Sequence, residues 1–519
     1  MSFPSIAMST FDSLFVRPSV NIGYLTLVRT AACLLLALII WRVWRFTVSP
    51  YLHPERPKEF PYWIPFVEIR NNFHNDKHPF ALTVFGMTFY VVTEAKHSAE
   101  VFKNTETLSF EDFVQTLMRT NGSDERVIEA MYSALPIDKP GFPNPQGDSL
   151  GVLAQRMHVH QLYPSDNLTL LQQHVHAWID RHLSLDSLRK VCRYAVSQSS
   201  AHIDLPLYQW CSDYFVRLGQ HVYFGAKLDQ IDPMLPDSFL LFDELIWKML
   251  YQYPGFLSRD MSVPRTRIIA SLKKYFQMPR DQRSDGTAWL INAMEDEMRS
   301  LGIDDDNLAV LVFHLYFAIN TNTRKTIFWM ITYLLHNPSL IPTYRQETEA
   351  AFSGDDLVNP FYIQDPSNCP QVDAIWHETL RLSGWSASVR LITQDTVIGN
   401  KLMRKGHRVL VPHRLLHFDE TVFGKDTLAF RPERWQKSNL SRSPSWRPFG
   451  AGKTVCSGRF LARFSVTTFV ATLLRRFDVE MVGNPAFPQA DEGRPVLGIM
   501  SIKEGHDFNV RLSPRTKLG

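Results

Sequence analysis

Cysteine, excess charge and nucleotide-binding glycine motifs are all scarce in this chain. Its 519 residues include five cysteines, none in the C-x-x-C spacing of zinc or thioredoxin-like sites, which favours a reducing compartment. The formal net charge of +3 is small for this length and gives no reason to expect a nucleic-acid partner. There is no internal repeat, no low-complexity segment and no G-x-G-x-x-G dinucleotide fingerprint.

Apolar residues are plentiful by contrast. Hydrophobic residues make up 45% of the chain and aromatic residues 12%. Such a chain can bury a large core and line a lipophilic pocket.

The N-terminal region contains a long apolar run. Residues 24–41 are apolar apart from two threonines and Arg29, and as a helix they span about 27 Å, close to the bilayer core. Basic residues are concentrated after the run, at Arg42, Arg45, Arg56 and Lys58, against Arg17 alone before it. The positive-inside bias therefore predicts a single-pass anchor with the remaining chain in the cytosol. A cleaved signal peptide is the alternative, although no small-residue cleavage site follows the run.

Prolines at positions 54, 57, 61 and 65 predict a hinge after this run. We therefore divide the chain into an N-terminal segment with a transmembrane anchor (1–50), a proline-rich hinge (51–66) and a catalytic domain (67–519).

The remaining patterns predict a mainly α domain with a small β region. Residues 80–84 and 88–92 form a predicted hairpin around Gly86, followed by a helix over 93–104 with Thr93 as its cap. Helical patterns then dominate to about residue 350. A single predicted helix, about 45 Å long, covers 304–336. Short strands are predicted at 397–398, 407–411 and 500–511.

One stretch surrounds a cysteine with glycines: Phe449-Gly450-Ala451-Gly452-Lys453-Thr454-Val455-Cys456-Ser457-Gly458-Arg459. The glycines Gly450, Gly452 and Gly458 permit tight turns and close approach of the backbone to a flat macrocycle. Phe449 can lie against the sulfur and limit access of water. A thiolate held in this way is an axial ligand that donates electron density to haem iron. The stretch predicts that Cys456 ligates the iron of haem b.

The F-x-x-G-x-x-x-C-x-G spacing resembles the haem-binding signature of the cytochrome P-450 superfamily, most of whose members are monooxygenases. Two further motifs stand in the family's order. Glu378 and Arg381 form E-x-x-R on one predicted helix face. Arg434, in Phe430-Arg431-Pro432-Glu433-Arg434-Trp435, resembles the arginine of the family's P-E-R-F element. The resemblance implies the cytochrome P-450 fold and a buried network of these three charges, in which a missing partner costs about 3–5 kcal/mol.

A polar run interrupts the long predicted helix at Ala318-Ile319-Asn320-Thr321-Asn322-Thr323, and Trp329 follows six residues later. Asn and Thr compete for backbone hydrogen bonds in mid-helix, so the run predicts a kink or groove. Most family monooxygenases have A-G-x-[D/E]-T here, and the resemblance implies that Thr323 supplies the alcohol while Asn322 replaces the acid. We predict that Thr323 donates a hydrogen bond during oxygen activation and that Asn322 holds a proton-relaying water. The Asn-Thr pair with the tryptophan resembles bile-acid-pathway sterol hydroxylases and some fungal biosynthetic members.

Two usual family features are missing. The residue two positions before Cys456, usually an Arg or His that pairs with a haem propionate, is Thr454, and the W-x-x-x-R of the helix over the other propionate is absent. We expect Lys453 and Arg390 to bind propionate instead, since both lie in segments that border the haem in the family. Arg156 or His160 is a further candidate.

These features predict a membrane-bound haem-thiolate monooxygenase that hydroxylates or epoxidises a hydrophobic terpenoid, steroid or polyketide intermediate. Without a dinucleotide fingerprint or flavin domain, the expected electron donor is a separate NADPH-cytochrome reductase, with the enzyme on the cytosolic face of the endoplasmic reticulum. Arg447, Lys453, Arg459 and Arg463 form the predicted basic docking patch. The alternatives are a haem-thiolate isomerase or dehydratase acting on an oxidised lipid, which Thr323 disfavours, and a non-catalytic haem-binding membrane protein, which the polar groove disfavours.

Two further predictions concern a possible substrate-contacting segment and three glycosylation sequons. Phe110, Phe113 and Leu117 lie where the family has a variable substrate-contacting loop, although their helical spacing suits a core equally well. Asn121, Asn167 and Asn439 each begin an N-x-S/T sequon, and a cytosolic domain predicts that all three stay without glycans.

Overall fold

The computed structural model describes residues 22–59, 61, 77–84, 87–283, 285–437 and 439–515. Arg17, the hairpin residue Gly86 and positions 62–66 of the predicted hinge lie outside these ranges.

Helices form most of the described chain. In chain order they are α1 Ile22–Val43, α2 Ser49–Leu52, α3 Ala95–Lys103, α4 Glu111–Asn121, α5 Glu125–Tyr132, α6 Leu150–Leu162, α7 Asp166–His182, α8 Leu185–Val191, α9 Leu207–Phe224, α10 Lys227–Ile231, α11 Leu235–Leu245, α12 Trp247–Leu250, α13 Arg259–Gln277, α14 Trp289–Ser300, α15 Asp305–Thr321, α16 Thr323–His336, α17 Leu340–Thr348, α18 Pro370–Ser383, α19 His413–His417, α20 Glu420–Phe423, α21 Glu433–Lys437 and α22 Arg459–Arg476.

The strands are short and form small sheets. They are β1 Lys58–Glu59, β2 Phe80–Val84, β3 Met87–Val91, β4 Leu108–Ser109, β5 Ser197–Gln198, β6 Ile203–Pro206, β7 Phe352–Ser353, β8 Asp356–Leu357, β9 Ala387–Ile392, β10 Thr396–Ile398, β11 Lys401–Met403, β12 Arg408–Pro412, β13 Phe477–Met481 and β14 Asn509–Pro514. The largest sheet has the order β1-β2-β3-β12-β9-β4. This mainly α architecture with a small β region confirms the predicted fold class.

The N-terminal helix is long and apolar enough to cross a membrane. The span covers Thr26–Leu52, 27 residues, and none of it is buried against the rest of the protein. It comprises α1 from Thr26 onward, a π-helical turn over Trp44–Val48, and α2. At its end Arg45 donates to both carboxylate oxygens of Glu59, at 2.7 and 2.8 Å, and to Thr83 Oγ1 at 3.1 Å. The basic residues after the apolar run therefore include one that joins the helix to the sheet.

Two hydrophobic cores support the fold. The larger one runs through the helical region and includes α9, α15, α16 and α22. The smaller one lies between α3 and the six-stranded sheet, and contains Val101, Phe102, Ile392 and Val409. The two cores leave a space between the sheet and the long helices, and this space holds the candidate site.

Several predicted elements are corrected by the structure. The helix predicted from Thr93 begins at Ala95, and its cap residue is Glu94, with no side-chain capping bond. The single helix predicted over 304–336 is two helices, because α15 ends at Thr321 and α16 begins at Thr323. The strand predicted over 500–511 is found instead at Asn509–Pro514, because a turn at residues 504–505, with Gly505 at φ +77°, interrupts the extended chain before it.

Candidate active site

A cavity of about 1840 Å³ lies between the long helices and the six-stranded sheet. Cys456, Arg390, Asn322 and Thr323 all line it, although they are far apart in sequence. Its wall also contains the aromatic and aliphatic side chains Phe110, Phe113, Leu117, Phe215, Val222 and Leu250. The three residues predicted from the variable loop therefore face the cavity.

The loop that holds Cys456 is shaped by its glycines. The Cys456 amide donates to the Phe449 carbonyl at 2.9 Å, which closes the loop on itself. Gly452 has φ +64°, and a Cβ there would lie 2.8 Å from the carbonyl oxygen of Phe102. Any side chain would push this loop away from α3. Phe449 stacks against Trp376 of α18 with ring centroids 6.4 Å apart, which fixes the loop on the helical core.

Cys456 lies at the N-terminus of α22, which begins at Arg459. Burial raises the pKa of its thiol, and the backbone amides of Gly458 and Arg459, with the Arg459 guanidinium, oppose that shift. The exposed part of Cys456 faces the cavity, because the residue is one of the cavity's lining residues. Amide donors and a helix N-terminus both favour a thiolate over a thiol. Burial outweighs these groups, so the pKa of the free thiol stays above its ordinary value. A bound metal cation would favour the thiolate, so the loop presents a sulfur that would become an anionic ligand on binding a metal.

The three charges predicted to pair behind the loop are in contact. Glu378 and Arg381 of α18 are both fully buried, and Arg381 Nε and Nη2 donate to the two oxygens of Glu378 at 2.8 Å each. Arg434 Nε donates to Glu378 Oε1 at 3.0 Å. Trp435 Nε1 donates to Glu378 Oε2 at 2.8 Å, and the Arg431 amide donates to Oε1 at 3.0 Å. One carboxylate thus accepts five hydrogen bonds and joins α18 to the chain around α21.

Arg390 is the predicted propionate partner that lies at the cavity. Its guanidinium donates to Thr454 Oγ1 at 2.5 Å and lies over the Phe110 ring at 4.8 Å. Burial lowers the pKa of Arg390 to about 10, and no carboxylate of the described residues pairs with it. A buried cation without an anion is costly, so this end of the cavity suits a carboxylate ligand.

His413 stands beside Arg390 and carries no sequence motif. Its two ring nitrogens lie 3.0 Å from Ser386 Oγ and Ser388 Oγ. Burial, with smaller contributions from Arg447 and Arg390, lowers the pKa of His413 to about 4, so the ring is neutral at pH 7. Sequence reasoning missed it because only the pairing of β9 with β12 brings the two serines beside this ring.

The other predicted propionate partners lie elsewhere, which corrects the expectation. Lys453 is exposed and does not line the cavity. Arg156 pairs with Asp148, and His160 packs on Trp289 with ring centroids 4.6 Å apart. Arg156 thus meets the loop before α6 and His160 meets α14, and neither lines the cavity.

The four residues of the predicted docking patch do not form a free basic surface. Arg447 is half-buried and donates to the Trp446 carbonyl at 3.0 Å. Arg459 lies over the Tyr163 ring at 4.5 Å, and Arg463 forms an ion pair with Asp373. Of the four, Lys453 alone is exposed.

The break between α15 and α16 places two side chains at the cavity. Asn322 is the residue between the helices, and Thr323 begins α16. The Asn322 Oδ1 accepts from the Ile499 amide at 2.9 Å, and its Nδ2 donates to the Leu497 carbonyl at 3.4 Å. Thr323 lines the cavity and is half-buried. The polar run therefore produces the predicted interruption of the helix and places a threonine at it.

A second cluster of buried charges adjoins this break. Asp243 of α11 pairs with Arg324 and with Lys325, whose Nζ lies 2.7 Å from Asp243 Oδ2. Thr321 also donates to Asp243. Two cations and one carboxylate, each at most 2% exposed, thus lie on the side of the helix away from the cavity. No motif spacing indicates this contact, because it joins residues about 80 positions apart.

Sequence reasoning also missed one wall of the cavity. Residues 495–499 all line it, although they belong to no helix or strand. On another wall Asp112 of α4 pairs with Arg408 of β12 at 3.2 Å. Neither feature has a sequence signal, since both depend on how remote segments meet.

A glycine-shaped loop, a cysteine sulfur that faces the cavity and a guanidinium with no carboxylate partner among the described residues are the features that a flat, carboxylate-bearing macrocycle requires, so the residues present fit a haem. The site therefore defines a haem-thiolate protein. Comparison with known families makes this specific. Residues 192–510 match the family described as Cytochrome P-450, which is more than half of the chain. The chain belongs to the cytochrome P-450 family, whose members bind haem iron, and it is a monooxygenase of that family.

Curated relatives agree with this assignment. The cytochrome P-450 monooxygenase poxD of Penicillium oxalicum is 24% identical over 473 residues, which are 84% of this chain and 90% of the relative. Cholesterol 7-alpha-monooxygenase of Cricetulus griseus is 25% identical over 345 residues, 61% of this chain and 68% of the relative. Beta-amyrin 11-oxidase of Glycyrrhiza uralensis is 25% identical over 280 residues, 51% of this chain and 55% of the relative.

Proposed function

We propose that this protein hydroxylates or epoxidises a hydrophobic terpenoid, steroid or polyketide intermediate. The observation that carries the proposal is one large, mainly apolar cavity that both Cys456 and Thr323 line. The relatives named for cholesterol and beta-amyrin support the substrate class, and poxD supports a fungal-type biosynthetic role.

Each residue of the site has a separate task in this proposal. Cys456 would hold the haem iron through its sulfur, in a loop that Phe449, Gly450, Gly452 and Gly458 shape. A bound haem would supply the oxygen activation that amino-acid side chains lack. Arg390 holds a propionate, since it is buried beside Thr454 and lacks a protein anion.

In this proposal Asn322 and Thr323, at the break between α15 and α16, deliver the protons. Thr323 donates a hydrogen bond into the cavity from the start of α16. An amide carries two N–H groups, and Leu497 occupies one of those on Asn322, so the other remains for a water that relays protons from solvent.

We further propose that the chain is anchored by residues 1–50, hinged at 51–66 and catalytic over 67–519. The exposed apolar helix Thr26–Leu52 supports the anchor, and the positive-inside bias favours the cytosolic face of the endoplasmic reticulum. Electrons then come from NADPH through a membrane-bound NADPH-cytochrome reductase.

The activity is tested with membranes that contain the full chain and a reductase, supplied with cholesterol, beta-amyrin and ¹⁸O₂. The balanced reaction consumes one substrate, one O₂, one NADPH and one proton, and yields the oxygenated product, water and NADP⁺. We expect one ¹⁸O atom in the product of at least one substrate, dependent on reductase and NADPH. Conversion without reductase and oxygen would contradict the proposal and favour an isomerase.

The topology is tested at Asn439, because this sequon is exposed whereas Asn121 is buried and bonded to His314. A cytosolic domain leaves Asn439 without glycan, so glycosidase treatment should not change the mobility of the protein. A shift that Asn439→Gln abolishes would place the domain in the lumen.

A further inference from the structure

The cavity wall formed by residues 495–499 has little regular structure of its own. On one side it bonds to the chain after α18: the Trp385 amide donates to the Gly498 carbonyl at 2.7 Å, and the Met500 amide donates to the Ser383 carbonyl at 2.9 Å. A wall without helix or strand takes its position from contacts of this kind. Its other side faces the long helix.

Two side chains of that helix complete the attachment. Asn322 Oδ1 accepts from the Ile499 amide at 2.9 Å. Trp329 Nε1 donates to the Met500 carbonyl at 2.8 Å. The two residues are seven positions apart, two helical turns, so they lie on one face and reach neighbouring peptides of the segment.

The packing between the two surfaces is close. A Cβ added at Gly498 would lie 2.1 Å from Asn322 Oδ1, so the backbone of the segment rests directly on the Asn322 amide. Trp329 is 2% exposed and is not among the cavity's lining residues. Its indole N–H therefore acts on the cavity only through the segment that it holds.

We infer that Asn322 and Trp329 are positioning residues that fix segment 495–500 as a substrate-orienting wall. The Asn-Thr pair with the following tryptophan thus has a structural meaning: the threonine lines the cavity, while the asparagine before it and the tryptophan hold the adjoining wall in place. An aspartate at position 322 keeps the acceptor for the Ile499 amide, whereas alanine removes it. This inference rests on the proposed function for its link to substrate, but the attachment itself does not.

The attachment is tested by amide hydrogen exchange in the full-length, haem-loaded protein. Asn322→Ala and Trp329→Phe should each speed exchange in peptides covering 496–501, by about tenfold for a lost bond of this kind. Asn322→Asp should keep the protection of the Ile499 amide, because Oδ1 still accepts from it, although the bond to the Leu497 carbonyl is lost. Trp210→Phe is the matched control, because the Trp210 indole N–H is buried without a partner among the described residues.

The effect on the cavity is tested with two probes that bind haem iron through nitrogen. 4-Phenylimidazole reaches past the iron into the cavity, whereas imidazole does not. Asn322→Ala and Trp329→Phe should weaken 4-phenylimidazole binding by about three- to tenfold and leave imidazole binding unchanged. Trp210→Phe should change neither.

Unchanged exchange and unchanged 4-phenylimidazole affinity in Trp329→Phe would overturn the inference, because that variant touches no proton path. An effect of Asn322→Ala that Trp329→Phe does not share would overturn it as well. If wild-type protein binds neither probe, the proposed haem function fails, while the exchange result still decides whether the segment is attached as inferred.

Discussion

Two buried clusters in this protein have the same charges and different origins. Behind the Cys456 loop, Glu378 pairs with Arg381 and Arg434, and beside the helix break Asp243 pairs with Arg324 and Lys325. Each has one carboxylate and two cations. The Glu378 cluster could be predicted from sequence, whereas the Asp243 cluster could not.

The difference lies in how each carboxylate is satisfied. Glu378 accepts bonds from a neighbour one turn away on its own helix and from one short segment around α21, so local spacing and one motif describe most of it. Asp243 takes its partners from a helix about 80 residues later, at a point where that helix is broken. The first cluster therefore supports the loop that holds Cys456. The second stabilises the packing of the break between α15 and α16 against α11.

Removing Glu378 should have the largest effect. Glu378→Ala leaves Arg381 buried without a carboxylate, while Arg434 keeps Asp426 at 3.4 Å; the loss costs about 3–5 kcal/mol and removes the support of the ligand loop. We expect protein without haem, measured by the carbon monoxide difference spectrum. Glu433→Ala, an exposed carboxylate in the same motif, is the control and should load haem normally. A folded, haem-loaded Glu378→Ala protein would contradict the role of this cluster.

Replacing the ligand itself should abolish the thiolate signature even where haem stays bound. In Cys456→His the reduced, carbon monoxide-bound protein should lack the strongly red-shifted Soret band of thiolate ligation. Cys369→Ser, at another buried cysteine, should keep the band. If Cys456→His keeps it, another residue is the ligand.

The Asp243 cluster should matter for stability and leave the ligand loop intact. Asp243→Asn strands Arg324 and Lys325 in the core and should lower the free energy of unfolding by about 3–5 kcal/mol. Replacing all three by Leu, Met and Met should restore most of that loss, because no buried charge then remains. Denaturant titrations measure the free energy of unfolding of the single and the triple variant. Equal destabilisation of the single and the triple variant would show that shape, rather than charge, determines stability here.

Thr323→Ala tests the proposed role of the Thr323 hydroxyl, at the break between α15 and α16, in proton delivery. Without the hydroxyl, protons arrive poorly and reduced oxygen leaves as hydrogen peroxide, so product formed per NADPH should fall by about tenfold or more. An external oxygen-atom donor should partly restore product, because it bypasses the proton step. Thr332→Ala, a buried threonine further along α16, is the control. Full coupling in Thr323→Ala would remove the proposed role of this residue.

The smallest expected effect is a pH dependence of the Asp243 cluster. Burial raises the pKa of Asp243, but Lys325 and Arg324 outweigh it, so the pKa lies below its ordinary value of 3.8. The folded pKa is below the unfolded one, so the stabilisation is fully present above that value and is lost as pH falls through the folded pKa. The stability gap between wild type and Asp243→Asn should therefore be constant near neutrality and shrink below about pH 4. A gap that shrinks instead on raising the pH would reverse the assigned sign.

The break between α15 and α16 could be predicted from the sequence, but its contacts with the rest of the chain could not. The polar run around Asn322 and Thr323 predicted an interruption correctly, because Asn and Thr are intrinsically poor in mid-helix. It did not reveal that the Asn322 amide bonds to residues 497 and 499, since that partner is brought close only by the path of the chain after β13. Lys453 and Arg390 illustrate the same limit: both are predicted to bind propionate because they lie in segments that border the haem in the family, yet of the two Arg390 alone lines the cavity.

The sequence by itself determined the features that short spacing encodes. Glycine positions around Cys456 fix a tight loop, a three-residue spacing places Glu378 and Arg381 on one helix face, and an apolar run near the N-terminus forms the exposed helix. Only the tertiary structure decided which remote groups meet: Asp243 with Arg324 and Lys325, Trp329 with Met500, and Arg390 with Thr454. Local geometry follows from backbone chemistry within a few residues, whereas these contacts depend on the packing of whole helices and sheets against one another.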